Sequence, residues 1–384
     1  MDFELGDEQT LLRDTTRELL SRAYDPESRR RIVATDSGFD RDVWQRFAQT
    51  GLLELALSTG DGDEDGEEAL GGPVEVGIVM TEIGRRLAPE PYLDAVVVPG
   101  GLVARVGTAE QRDEILPPVG GGERMLAFAH DEPGVRWPAR VASTRARADG
   151  DGWAITGVKN PVPHGGSADT LVVSAVTDDG ALGLFVVDGV AEGVTSSAYP
   201  TYDGLRAARI DFVDAPAVRL GDSDDDAWPA VVLTQAHAQA ALCAEAVGAM
   251  DEALRSTVEY LKTRRQFGVP LAHFQALTHR AADMYVLVEL ARSMSLYATM
   301  SLAAPDVDPV EASAATSRAK LQICRSARQV GQEAIQLHGG IGMTDEYPVG
   351  HYTARLTAIA RTLGDARDHV RLLSGSVRDT VSIH

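Results

Sequence analysis

The chain has 384 residues and a formal net charge of −21, with an isoelectric point near 4.8. That length suffices for two or three units built on large cores. So acidic a surface repels nucleic acid and anionic membranes and argues against both as partners, yet a local basic cluster can still hold a phosphate-bearing cofactor.

The opening, Met1-Asp2-Phe3-Glu4-Leu5, has neither the basic region nor the apolar run of a signal peptide. No stretch of about 18 apolar residues offers a membrane span. Residues 1–125 read as an N-terminal helical domain. Leu11, Leu12, Thr15, Leu19 and Leu20 keep a helical spacing after the acidic start at Asp7 and Glu8. Phe39 to Leu57 repeats the pattern, with Asp40 as cap and Val43, Phe47, Leu52 and Leu53 as apolar face. The Gly-rich acidic run 60–68 predicts a surface loop, without the ligand spacing of a calcium loop. Val74 to Leu87 predicts another helix, ended by Pro89 and Pro91.

Residues 126–221 change texture. Short β-branched segments such as Trp153–Thr156, Thr170–Val173, Leu184–Val187 and Ala208–Phe212 alternate with Gly, Asp and Pro turns. This predicts a middle antiparallel β-domain. A polar linker, Gly221 to Asp226, closes it. Residues 222–384 are Ala-rich and predict four helices near 228–262, 273–303, 309–338 and 350–380, a C-terminal bundle. The two cysteines, Cys243 and Cys324, lie in these helical stretches. They read as buried thiols of a reducing cytoplasm, which makes a cytoplasmic location the expectation. His130, His164, His237, His273, His279, His338 and His351 are scattered without metal-ligand spacing, so no metal is expected. The fold class is α+β, in the order helices, strands, helices.

Two motifs carry chemistry. Arg264-Arg265-Gln266-Phe267-Gly268-Val269-Pro270, followed by Phe274-Gln275, sits at a helix end. An arginine fork pairs two phosphate oxygens at once, and an aromatic ring beside it covers an adjoining ring. On its own this stretch better suits a capped helix end with solvated arginines. Gln336-Leu337-His338-Gly339-Gly340-Ile341-Gly342 marks a loop of close backbone approach after a helix. Alone, it equally suits a terminating turn.

Taken together, these motifs make the chain resemble the acyl-CoA dehydrogenase family over essentially its whole length. Asp2-Phe3-Glu4-Leu5 with Glu8-Gln9, Gly51-Leu52-Leu53 and Glu82 to Pro91 add to the likeness. The resemblance implies the three-part fold of that family, FAD as cofactor, an acyl-CoA substrate and a tetramer whose FAD lies partly between subunits. It implies that Arg264, Gln266, Phe267, Gln275, Gln336, Gly339 and Gly340 contact the pyrophosphate and adenosine half of a neighbour's FAD.

The same resemblance exposes departures. The family's reaction removes a proton α to a thioester with a carboxylate base, while flavin takes the hydride. In most members the base is a Glu before a Gly, and that place reads Leu363-Gly364. In others the Glu lies upstream of the arginine motif, at a place that reads Ala238. Neither side chain accepts a proton. Asp365 and Glu245 are nearby acids that each need a shift of register, and a solvated helix face or local ion pair explains them as well. Glu132-Pro133-Gly134 runs on into Val135-Arg136-Trp137 where the family has a Gly-Ser. Pro161-Val162-Pro163 stands where it has an aromatic, an Ile and a hydroxyl residue. Proline offers neither hydroxyl nor N–H.

The expectation is a base-lacking subunit that completes the FAD site of a paralogous acyl-CoA dehydrogenase in a heterotetramer. It is similar to bacterial branches that act on bulky or steroid acyl-CoA esters in side-chain β-oxidation. The alternatives are a self-sufficient dehydrogenase using a relocated acid, Asp365 first, a flavin-dependent monooxygenase on the same fold, and a purely structural subunit.

Overall fold

The computed structural model describes residues 5–57, 71–140, 143–304 and 307–380. The acidic run at 60–68 and most of the Asp2–Leu5 opening lie outside the described residues.

Among the described residues seven helices come first: α1 (Asp7–Ala23), α2 (Pro26–Val33), α3 (Arg41–Gln49), α4 (Leu52–Leu55), α5 (Pro73–Arg86), α6 (Val98–Val106) and α7 (Ala109–Gly120). The stretch expected to run from Phe39 to Leu57 is two helices. Gly51, at φ 74, turns the chain between them. Asp40 caps α3 by accepting the Asp42 N–H at 2.9 Å. A π-helical turn, Tyr92–Val97, leads into α6. Such turns often mark functional sites.

Among the described residues seven strands follow: β1 (Leu126–Ala129), β2 (Arg145–Asp149), β3 (Gly152–Pro163), β4 (Thr170–Val176), β5 (Leu182–Asp188), β6 (Val194–Pro200) and β7 (Arg206–Arg219). The order is β1-β4-β2-β3-β7-β5, and β5 returns to pair β4, closing the sheet on itself. The sheet is mixed rather than wholly antiparallel. β1 lies parallel to β4, and so does the start of β2, where Arg145 pairs with Val176. The hairpin β2–β3 supplies the crossover that a parallel neighbour needs. Ile155, Phe185, Ile210 and Phe212 fill the inside of the sheet. Leu126, Val172 and Leu184 pack outward into the helical core.

The last unit comprises α8 (Trp228–Thr263), a short hairpin β8 (Arg265–Gln266) and β9 (Val269–Pro270), then α9 (Gln275–Leu302), α10 (Pro309–His338), α11 (Val349–Ile359) and α12 (Ala366–Thr380). The fourth expected helix is thus broken. Leu363 at φ 54 and Gly364 at φ 97 reverse the chain there, and no helix continues through two left-handed residues. Gln239 on α8 donates to the Leu363 carbonyl at 3.0 Å, and buried Lys320 on α10 donates to that of Ile359. These bonds from the bundle hold the turn. Both cysteines are buried and free. Among the described residues no helix is long and apolar enough to cross a membrane.

α8 is buried on nearly every face from Thr234 to Met250, as a central helix must be. Small residues let α5 approach its backbone. A Cβ on Gly248 would lie 1.9 Å from the Thr81 carbonyl oxygen, and one on Gly84 the same distance from that of Glu245. Neither contact is with a flexible side chain, so the helices must separate to admit a methyl. Gly248→Ala is therefore expected to cost about 3 kcal/mol, the upper part of the overpacking range. A urea midpoint unchanged from the parent would refute this close approach.

Candidate functional site

The two motifs, far apart in sequence, meet at one end of the bundle. Tyr260, in the last turn of α8, packs on His338, in the last turn of α10, with ring centroids 4.6 Å apart. Tyr347 closes on the same imidazole at 4.9 Å. Arg264 is the first residue beyond α8, in extended conformation. Phe267 and Gly268, at φ 55 and 83, make the tip of the β8–β9 hairpin. Phe267 is 91% exposed and touches Phe274 edge-on at 6.2 Å. Gln275 opens α9, and Gln336 lies in the last turn of α10, next to the Gly339-Gly340 loop. All seven residues are exposed. Gly339 takes φ 66, and nothing lies within 4 Å of where a Cβ would stand on Gly339 or Gly340. The arrangement offers guanidinium, amide, aromatic face and bare backbone to an external group. Apart from the Gln266 amide on the Arg265 carbonyl, no hydrogen bond within the chain engages these side chains among the described residues.

A second region is a cleft of about 690 Å³ between the sheet and α11–α12. A smaller cavity of about 80 Å³ shares its wall. Leu363 and Ala238 both line that cavity, together with Leu93, Asp94, Val98 and Leu242. Pro161 and Pro163 face both spaces. The cleft wall carries six carboxylates, Asp94, Asp131, Glu132, Asp203, Asp365 and Asp368, against four guanidiniums, Arg136, Arg206, Arg355 and Arg361. That balance opposes an anionic diphosphate.

Most of these acids are spoken for. Glu132 accepts from the Ser143 N–H and the Thr144 N–H at 2.9 Å each, and from the Ser143 hydroxyl at 2.6 Å. The fully buried Lys159 ammonium stands 3.4 Å away. Burial alone would raise the Glu132 carboxyl, but these donors outweigh it and hold it down at about 2. Burial pulls Lys159 down to about 8, against the attraction of Glu132. The pair is thus held more by the donors on the carboxylate than by the lysine. Asp365 is the cap of α12, accepting from the Arg367 and Asp368 N–H groups at 2.8 and 3.0 Å. The Asp368 N–H and nearby arginines keep its carboxyl below the usual range. Glu245 and Asp203 both receive the buried Arg355 guanidinium, each at 2.7 Å.

Asp94 differs. It sits on the π-helical turn, half-buried at the wall common to both spaces, and has no hydrogen-bond partner among the described residues. Burial pushes its carboxyl up to about 6. Arg355 opposes the rise, and Glu245 and Asp203 add to it. Sequence reasoning passed over Asp94 and Arg355. The only signal for Asp94 is one acid within the apolar run Tyr92–Val98. Trp137, noted in the sequence only as a departure, packs its ring on His369, with centroids 4.8 Å apart.

Comparison with known proteins places these sites in context. Family models for the acyl-CoA dehydrogenase N-terminal, middle and C-terminal domains match residues 6–123, 127–215 and 228–366. The chain is 29% identical over 371 residues to the acyl-CoA dehydrogenase FadE27 of Mycobacterium tuberculosis, covering 92% of this chain and 93% of that protein. Among solved structures it is similar to a variant of the Tcur3481–Tcur3483 steroid ACAD, at 33% identity and a TM-score of 0.87, covering 99% of this chain and 100% of that one. It is also similar to a chain of the ChsE4–ChsE5 complex from Mycobacterium tuberculosis, at 26% identity and a TM-score of 0.85, with both chains fully covered.

The Asp94 carboxyl has a folded-state pKa near 6, above the ordinary 3.8. The folded protein therefore binds more protons than the unfolded chain between those values, and stability falls as pH rises through them. Asp94→Asn removes this penalty. It is expected to stabilise by about 3 kcal/mol at pH 7.5 and by almost nothing at pH 3.5, read from urea unfolding at both pH values. An equal gain at both would refute the assignment.

Proposed function

Because the chain belongs to the acyl-CoA dehydrogenase family, whose members are FAD-dependent oxidoreductases acting on CH–CH bonds, we propose that it acts as the base-lacking subunit of a heterotetramer. In this reading it completes the FAD site of a paralogous subunit that carries the glutamate. The observation that carries it is the contrast between two regions. The cofactor set from Arg264 to Gly340 is exposed and free to engage a partner's nucleotide. The cavity that should hold the base has Leu363 and Ala238 on its wall.

FAD suits the first region and not the second. At the bundle end, Arg264 would pair with pyrophosphate oxygens, Phe267 would cover a ring, and the backbone at Gly339 and Gly340 allows close approach. In the cleft, prolines replace hydroxyl donors, and carboxylates outnumber guanidiniums. FAD, when bound, supplies the hydride acceptor. The partner's carboxylate would remove the α-proton, and this chain's residues hold and orient the cofactor. Assembly is supported by an apolar face on α9, where Tyr285, Val286, Leu290 and Tyr297 are exposed. Bulky acyl-CoA esters of the steroid type are the proposed substrates, since the solved relatives at 33% and 26% identity are a steroid ACAD and a two-component complex. A cytoplasmic location accords with this reading.

Asp94 favours a second reading, a self-sufficient dehydrogenase with a relocated acid. A carboxyl near pKa 6 on the cavity of Leu363 has the basicity that proton abstraction near neutral pH favours.

Turnover of acyl-CoA by the purified chain separates the two. The first reading expects no dehydrogenation and little retained FAD from the chain alone, with both appearing on co-expression with a glutamate-bearing paralogue. In that complex, Arg264→Ala in this chain should weaken FAD retention about tenfold, a charge-assisted phosphate contact being worth about 1.5–3 kcal/mol. Rapid turnover by the single chain, abolished by Asp94→Asn, would overturn the first reading and establish the second.

A further inference from the structure

We infer that Trp137 is the residue that keeps FAD out of this chain's own cleft, an inference resting on the proposed role as base-lacking subunit. The indole stands between the sheet and the bundle. Its Nε1–H donates to the Gln235 Oε1 on α8 at 3.0 Å. Its ring lies so close over Gly364 that a Cβ there would fall 2.3 Å from Cε3. The His369 imidazole packs on it with centroids 4.8 Å apart, tilted by 50°. The adjacent Arg136 ties the same loop to α12, with Nη2 donating to Asp368 at 3.1 Å.

A flavin is a flat ring system that needs a slot with a wall on each face, about 7 Å across at two van der Waals contacts. Between the 133–137 loop and the turn at Gly364, the indole already packs against Gly364 and His369 and leaves no room there for a second ring. Loop and turn fit each other. Gly364 lacks the side chain that would strike the indole, and Gln235 satisfies its one polar atom. The wedge is therefore a packed and hydrogen-bonded part of the fold. An incoming ring would have to expose the indole and break its bond, and would gain no hydroxyl donor from Pro161 or Pro163 in return. Trp137 thus sets specificity by exclusion. The cleft stays shaped by the fold, while the cofactor is met only at the far end of the bundle.

The test is FAD titration of the purified full chain, read by quenching of flavin fluorescence, for the parent, Trp137→Ser and Trp137→Phe. The serine variant is expected to bind FAD about tenfold tighter than the parent, and the phenylalanine variant, which keeps a ring in the slot, as weakly as the parent. If the serine variant binds no tighter, Trp137 is not the excluding group, and the proposed role stands untouched. If the parent itself binds one FAD per chain tightly, the base-lacking reading fails along with this inference. Should Trp137→Ser not fold by circular dichroism, Gln235→Leu removes the indole's acceptor and is held to the same comparison. A gain of about threefold supports the wedge, and no gain overturns it.

Discussion

Arg355 carries its charge into the junction between sheet and bundle, where two carboxylates from distant parts of the chain meet it. Glu245 comes from the central helix α8, and Asp203 from the segment between β6 and β7. A buried guanidinium left unpaired would cost several kcal/mol, so the relative placement of sheet, α8 and α11 is fixed by this triad as much as by apolar packing. The contact reaches further. Glu245 is where it is because Gly84 allows α5 to lie against its carbonyl. Arg29, on α2, donates to the backbone of both Leu87 and Asp203. The N-terminal helices, the sheet and the bundle therefore share one polar junction at the floor of the cleft. Its consequence for chemistry is direct. Glu245 and Asp203 are consumed in holding Arg355, and neither is free to take a proton.

The order of helices, strands and helices was legible because hydrophobic period and turn residues are local properties, and local properties survive in the sequence. The ends of α8 and α10 were legible for the same reason, since Gly268, Pro270 and the Gly339-Gly340 pair punctuate them. What escaped depends on contacts across the chain. The break at Leu363 was hidden because leucine is an ordinary helix former. The Gln239 amide bonds the Leu363 carbonyl itself, and Lys320 bonds that of Ile359 at the end of the preceding helix. The parallel placement of β1 against β4 follows from where the N-terminal helices deliver the chain, which no strand pattern encodes. Asp94 looked like one stray acid in an apolar run, and its raised pKa arises from burial against other units and from Glu245 and Asp203. Arg355 was missed because its partners lie 110 and 152 positions away.

The two candidate regions are complementary in what they lack. The end of the bundle presents groups that an isolated chain has no use for. A phenylalanine 91% exposed is tolerated in water but gains from being covered, and an unengaged arginine beside it gains from a phosphate. The cleft has the opposite character. Trp137 and Arg136 tie its walls together with bonds internal to the chain. Binding free energy is then available only where the surface is unsatisfied. In the proposed reading an external nucleotide would stabilise this protein at its α8–α10 end and would compete with internal contacts in the cleft. This asymmetry follows from packing and charge alone. In the proposed reading it is the assembly, rather than the single chain, in which a complete site for proton removal and hydride transfer is built.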